Sequence, residues 1–387
     1  MRGRLADALL LLIPGGVTAI GLFAMSASLV PGLERGVAAE FLLFLPWQML
    51  GLTVAKFGAD SWILANGSKW TGGSLPLQSF LFSRIAPAAT IIGLLMLIRL
   101  PAFAAAVGAL SILFDAVALV LSSELSAQGR VRRAAASHFL RYPLLFTMVT
   151  LAGWGGRLDE CFLYGAFVVS SASRLGYLLI ARSDVMASGV RTPNTGALAA
   201  QQVLNYGLFK NDQLAFSLIP VEMHAVRQML IYVVRFPELV SALIVAVGPV
   251  VYPALRREDK RVHGKSRSWL VWPLTLVACC FGGYVFGAIA PSDIHVPWYA
   301  VLAVAVHASL VLPVNLNTYK CFSEQKEREL LTSLLIANAG GVLFLASILL
   351  LMADYSAMFL WVVPLQQVIF LRAIKRSHRD TCIRSMP

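Results

Sequence analysis

Charge is scarce in this chain: only 13% of its 387 residues are Asp, Glu, Lys or Arg, against about a quarter in an ordinary soluble protein. That shortage excludes a conventional water-facing surface. Cysteine is scarce as well. Cys161, Cys279, Cys280, Cys321 and Cys382 are scattered, with no CxxC pair, so neither a disulfide framework nor a zinc site is indicated. GxxxxGK[ST], GxSxG, HExxH and GxGxxG are all missing, which removes an intrinsic P-loop, a hydrolase elbow, a zincin and a dinucleotide fingerprint. The six histidines lie far apart, and His307, inside an apolar stretch, reads as a packing residue. Asp159 and Glu160 read as a solvated turn. No cofactor or metal is expected, and an enzyme has little positive support.

What remains is grease. Hydrophobic residues make up 58% of the chain and the mean hydropathy is +0.73, values suited to a bilayer. A helix needs about 20 mostly apolar residues to cross roughly 30 Å of hydrocarbon. Twelve stretches qualify, at 8–30, 38–58, 79–98, 101–123, 139–155, 160–181, 197–219, 228–250, 268–290, 297–318, 329–352 and 355–374. The start, "MRGRLADALLLLIPGG", has the basic tip of a signal peptide, but its apolar run continues to Val30, so it reads as a retained first helix.

Alternating these spans puts 24 of the 32 Lys and Arg residues on the side of the N-terminus and four on the other. The positive-inside rule then places both termini in the cytoplasm, and a bacterial cytoplasmic membrane is the expected location. The formal net charge of +12 is therefore explained by topology rather than nucleic acid. The loop "RREDKRVHGKSR" (256–267) reads as an orientation signal that could also touch anionic headgroups.

With Lys56, Arg141 and Arg372, which lie near span edges, counted among those 24, four basic residues remain inside spans: Arg84, Arg174, Lys210 and Arg235. Each costs at least ~2.5 kcal/mol if it faces lipid near a helix centre, so a polar interior is expected around them. Asp115, Asp212 and Glu238 offer acidic company. Arg235 and Glu238 are three apart on one helix face and can neutralise each other. Lys210 and Asp212, two apart in "LNYGLFKNDQLAFSLIP", point in different directions, so each needs a partner elsewhere or a watered cavity. Pro14, Pro46, Pro87, Pro143, Pro237, Pro249, Pro273, Pro313 and Pro364 all fall within spans, and so many kinks fit a transporter. Gly283 and Gly287 form one GxxxG, read as a packing face.

Several stretches resemble the polysaccharide transporter family, the Wzx-type lipid-linked oligosaccharide flippases of the MOP (MATE-like) superfamily. "MLGLTVAKFGADSWILA" (49–65), with Gly58 and Asp60, is similar to the family's second helix. "SSELSAQGRVRRAAA" (122–136) resembles its polar, basic loop after helix four. "LNYGLFKNDQLAFSL" resembles its seventh helix and "FPELVSALIVAVGPVVYPALRRE" (236–258) its eighth. The chain is short for the family, and its usual Gly-rich loop between helices one and two is reduced to "VPGLERGV".

The resemblance implies an all-α polytopic protein of about 12 transmembrane helices in two six-helix bundles around a central cavity. The bundles would span 1–181 and 197–387, joined by a cytoplasmic linker at 182–196. The expected activity is flipping of a polyprenyl-pyrophosphate-linked oligosaccharide for O-antigen, capsule or exopolysaccharide synthesis. Arg84, Arg174, Lys210 and Arg235 would bind its phosphates, while Asp115 and Asp212 would modulate those cations or carry a coupled proton. Expected partners are the lipid-linked glycan, membrane lipids, a proton or sodium ion and the polymerase machinery. The rivals are a MATE-like drug or metabolite exporter, which would favour an acidic cavity, and an integral-membrane polymerase or acyltransferase, which the short outer loops disfavour.

Overall fold

A computed structural model describes residues 35–65, 73–74, 81–98, 100–155, 159–182, 188–189, 196–216, 229–230, 232–241, 268–288, 295–323, 326–351 and 356–384, with Val17, Gly21 and Ala290. Nearly all of the first expected span and the whole 256–267 loop lie outside these residues. The chain divides into two compact units, Met1–Val203 and Leu204–Pro387.

The N-terminal unit contains α1 (Arg35–Ala55), α2 (Ala59–Ala65), a π turn at Leu81–Ile85 running into α3 (Ala86–Met96), α4 (Ala102–Ala127), α5 (Val131–Phe139), α6 (Tyr142–Trp154) and α7 (Glu160–Arg182). Helix α8 (Gly196–Phe216) begins here and continues into the second unit. Helix α4 is the hub, packing on α1, α2, α3 and α7. Small residues make that possible: a Cβ on Gly93 would lie 2.8 Å from Ala109 Cβ, and one on Gly108 would lie 2.9 Å from the Phe44 ring. Between α1 and α7, Phe44 meets Phe167 edge-on at 5.1 Å and Tyr164 at 5.3 Å. Such geometry adds about 0.5–1.5 kcal/mol per pair beyond area burial.

The fifth expected span, 139–155, contains α6, and what is corrected is the placing of Arg141. Helical backbone runs from Val131 to Trp154 with a break at Leu140–Arg141. The cause is Pro143, at the second position of α6, whose ring opposes the carbonyl of Phe139, the last residue of α5. Arg141, read from sequence as part of a cytoplasmic loop, is thereby carried into the interior and is fully buried. Proline placement differs more widely from expectation. Pro46, Pro273 and Pro313 lie inside helices, whereas Pro87, Pro143 and Pro364 fall in the first turns of their α-helices.

The expected linker at 182–196 and the boundary after Val203 do not coincide, because the first turns of α8 pack on the N-terminal unit. Gly58, with φ +72°, approaches the backbone of Leu198 and Ala199, and Gln202 Nε2 donates to Asp60 Oδ1 at 3.3 Å. Asp60 is also paired with Lys56 at 2.7 Å. Gly73–Ser74 pairs in parallel with Ser188–Gly189, a two-residue contact that no pattern in the chain foretells.

The C-terminal unit contains the remainder of α8, helical backbone within 229–241, α9 (Ser268–Ala288), α10 (Trp298–Ser323), α11 (Glu327–Leu351), a 3-10 turn at Ser356–Trp361 and α12 (Val362–Arg384). Its core joins Leu208, Val314, Cys321, Leu330, Leu334, Ala337, Phe370 and Ile374 from α8, α10, α11 and α12. The GxxxG reading holds: Cβ atoms on Gly283 and Gly287 would lie 3.3 and 3.5 Å from Val301, so their absence lets α9 and α10 close together.

Among the described residues, five helices are long and apolar enough to cross a membrane, at Ala102–Ala127, Glu160–Arg182, Trp298–Thr318, Glu327–Leu350 and Met358–Ser377. Large apolar side chains such as Ile91, Ile98, Ile180, Phe281, Leu343 and Leu350 point outward. Water would penalise that surface; hydrocarbon accepts it. The chain is an all-α multi-pass membrane protein.

Candidate functional site

Each unit buries a polar cluster in its interior. In the N-terminal unit the cluster is organised by Asp115, midway along α4 and about 18 Å from the Ala127 end at 1.5 Å per residue. Arg141 reaches it from the helix break: Nε donates to Oδ1 at 2.9 Å, and Nη2 lies 2.9 Å from Oδ2. Arg141 Nη1 donates to Ser170 Oγ at 2.6 Å, and the guanidinium lies over the Phe167 ring at 4.0 Å. Gln48 Nε2 and Ser171 Oγ complete the Asp115 carboxylate at 3.1 and 3.2 Å. The arrangement is locally determined. Phe167, Ser170, Ser171 and Arg174 recur at helical spacing and so share a face of α7, which α4 covers.

Arg174, one turn beyond Ser170 on that face, is 2% exposed. Its Nε and Nη2 atoms have no hydrogen-bond partner among the described residues. Asp115, Tyr142, Arg141 and His138 are the titratable groups close enough to feel its charge. One carboxylate thus faces two guanidinium groups, and Arg141 holds it. Among the described residues, the cluster carries one surplus positive charge.

The C-terminal unit is organised by Glu238. Lys210 Nζ forms a close ion pair with Oε1, Arg235 Nη1 lies 2.5 Å from Oε2, and Gln213 Nε2 donates to Oε1 at 3.0 Å. Asp212 is buried and accepts from the Gln213 backbone N–H at 2.7 Å. Lys210 and Asp212 therefore have different partners, as their spacing requires, and Arg235 and Glu238 neutralise each other. With two cations and two carboxylates, this group is balanced among the described residues. Nearby, Asn338 of α11 donates to the Leu204 carbonyl at 2.9 Å and accepts from Asn211 Nδ2 at 3.2 Å. Gln366 and Gln367 on α12 are fully buried, and neither carboxamide has a partner among the described residues.

Arg84 lies outside both groups, in the π turn, with its guanidinium 4.8 Å from the centre of the Phe57 ring. Of the candidates chosen from sequence, the structure gathers Asp115 with Arg174, and Lys210 with Arg235 and Asp212. It does not bring Arg84 to either cluster. Sequence reasoning missed Arg141, Gln48, Ser170 and Ser171. The available signal was "RYP": a proline two residues after an arginine, eight residues beyond the basic run Arg130–Arg133, marks a helix break at the start of the fifth span.

The same fold occurs among solved membrane transporters. Among solved structures, the chain is similar to a MOP-superfamily transporter from Pyrococcus furiosus, for which reverse polarity of the binding pocket suggests a different function (12% identity, 98% of this chain and 96% of that one, TM-score 0.58). It is also similar to an inward-facing MATE-family multidrug resistance transporter of the MOP superfamily (13% identity, 98% and 100% coverage, TM-score 0.57). A third likeness is an outward-facing conformation of a MATE-family multidrug resistance transporter (12% identity, 98% and 97% coverage, TM-score 0.56). No family model matches the sequence, and no curated protein matches it significantly. The chain has the MATE-like fold.

Proposed function

We propose that this protein is a flippase for a polyprenyl-pyrophosphate-linked oligosaccharide, acting by alternating access in a bacterial cytoplasmic membrane with both termini in the cytoplasm. The observation that carries the reading is the positive charge at Arg174, in surplus among the described residues and buried where an uncompensated ion is costly. A pyrophosphate headgroup supplies the missing negative charge, and guanidinium can bind its oxygens through paired N–H donors. The fold by itself serves a drug or metabolite exporter equally well. Charge separates the two, because a site for cationic drugs would carry surplus carboxylate.

Two further features support movement between states. The break at Leu140–Arg141 leaves α5 and α6 as separately held helices. Gln366 and Gln367 are buried with no hydrogen-bond partner among the described residues, and since an unmet buried group costs about 1–3 kcal/mol, a state that satisfies them would be favoured by that amount. No covalent chemistry is required. Lys210 and Arg235 remain candidate phosphate ligands, though Glu238 must first release them.

In a strain lacking the gene, Arg174→Ala is expected to abolish surface glycan while the protein still inserts, and lipid-linked glycan should accumulate on the inner leaflet. Normal export by both Arg174→Ala and Lys210→Ala would remove the named site.

A further inference from the structure

We infer that Arg174 and Arg141 form one binding site for a phosphate-type oxyanion, and that Asp115 is an internal stand-in holding Arg141 while the site is empty. The inference rests on the flippase reading for its biological role only; the site itself follows from the geometry of the N-terminal unit.

Three observations meet here. Arg174 presents two N–H positions, unpartnered among the described residues, from a nearly dry interior. Arg141 is held much as a phosphate would hold it: Nε donates to Oδ1 at 2.9 Å and to Oδ2 at 3.0 Å, and Nη2 is in ion-pair contact with Oδ2 at 2.9 Å without hydrogen-bond alignment. A carboxylate on a guanidinium fork is the closest protein mimic of a phosphate edge. Finally, Arg141 is the residue at the break between α5 and α6, so its side chain can change partners without disrupting a continuous helical ladder.

Charged and titratable groups face the site from every element packed around it. Asp115 comes from α4, His138 from α5, Arg141 from the break, Tyr142 from α6 and Arg174 from α7. One carboxylate against two guanidinium groups leaves the empty site positive. An arriving oxyanion with two negative charges would engage both arginines and weaken the hold of Asp115 on Arg141. Binding and rearrangement at the helix break are then one event. This makes Asp115 a competitor of the ligand, where sequence had suggested a modulator or proton carrier.

The test uses the full-length protein in nanodiscs of zwitterionic lipid, titrated with inorganic phosphate and inorganic pyrophosphate by calorimetry. Wild type should bind pyrophosphate saturably, and Arg174→Gln should weaken binding about tenfold or more, the scale of one charge-assisted contact. Asp115→Asn removes the competitor and should tighten binding about tenfold. Ser170→Ala, which frees only Arg141 Nη1, should tighten it by a smaller factor and serves if Asp115→Asn does not fold. Placing a polyprenyl pyrophosphate in the disc should raise the apparent Kd for inorganic pyrophosphate if the site takes a lipid headgroup. If it takes free phosphate only, the Kd should stay unchanged. Weaker binding by folded Asp115→Asn and Ser170→Ala, or wild-type binding by Arg174→Gln, overturns the inference. No glycan is present, so the result decides on the site independently of what the protein transports.

Discussion

Removing Asp115 should harm the protein more than removing Arg141, although the two residues make the same ion pair. Asp115→Leu strips the acceptor from three donors, Arg141 Nε, Gln48 Nε2 and Ser171 Oγ, and removes the ion-pair contact with Arg141 Nη2. It leaves two guanidinium groups, 0% and 2% exposed, with no carboxylate between them. Breaking a buried pair by deleting one partner costs about 3–5 kcal/mol, and this substitution belongs at the upper end. Arg141→Met leaves Asp115 with Gln48, Ser171 and the nearby Arg174, whose open N–H groups can turn to it. Its cost should fall near the lower end, about 3 kcal/mol. The double substitution restores the wild-type surplus of one positive charge with no orphaned carboxylate, and should recover most of the loss, since apolar replacement of a whole buried pair is close to neutral. The assay is reversible denaturant unfolding in a fixed detergent, followed by tryptophan fluorescence, as a double-mutant cycle. If Arg141→Met proves as destabilising as Asp115→Leu, or the double variant is worse than either, the reasoning from surplus charge fails.

Other consequences are simpler. Gly58 has φ +72° and lies against the start of α8, where a Cβ would come within 3.0 Å of Ala199 N. Gly58→Ala should therefore cost about 1–2 kcal/mol for backbone conformation alone, seen as a lower unfolding midpoint. In the C-terminal unit, Glu238→Gln strips Lys210 and Arg235 of their shared carboxylate and should cost about 3–5 kcal/mol. Lys210→Met leaves the Arg235–Glu238 pair in place and should cost less, so equal losses in the same unfolding assay would count against Glu238 as the organiser.

Most of the fold was legible because spans are written in composition. The stretches at 101–123, 160–181, 297–318 and 329–352 correspond closely to α4, α7, α10 and α11, since a bilayer imposes a length and an apolarity that few alternatives satisfy. Arg141 was misplaced for a local reason. Pro143 breaks the helical run there, and counting Arg141 with the basic loop before it treats a buried, carboxylate-held arginine as a surface one. The charges inside spans were also visible, because their cost in hydrocarbon is large. Their partners were not. Asp115 and Arg141 are 26 residues apart and Lys210 and Glu238 are 28 apart, and which helix faces meet depends on packing that no single stretch encodes. Arg235 with Glu238 could be paired from sequence only because three residues place them on one helical face. The small residues behaved similarly: Gly283 and Gly287 announced a contact but not that Val301 would fill it.

If a surplus buried cation in the N-terminal unit draws an anionic headgroup across the membrane, purified protein in liposomes should show it. The decisive measurement offers those liposomes a fluorescent polyprenyl-pyrophosphate oligosaccharide and, separately, a cationic dye. Wild type should equilibrate the labelled lipid between leaflets, Arg174→Gln should not, and neither should move the dye. Dye transport by wild type, with the labelled lipid left in its original leaflet, would contradict the role given to that cation.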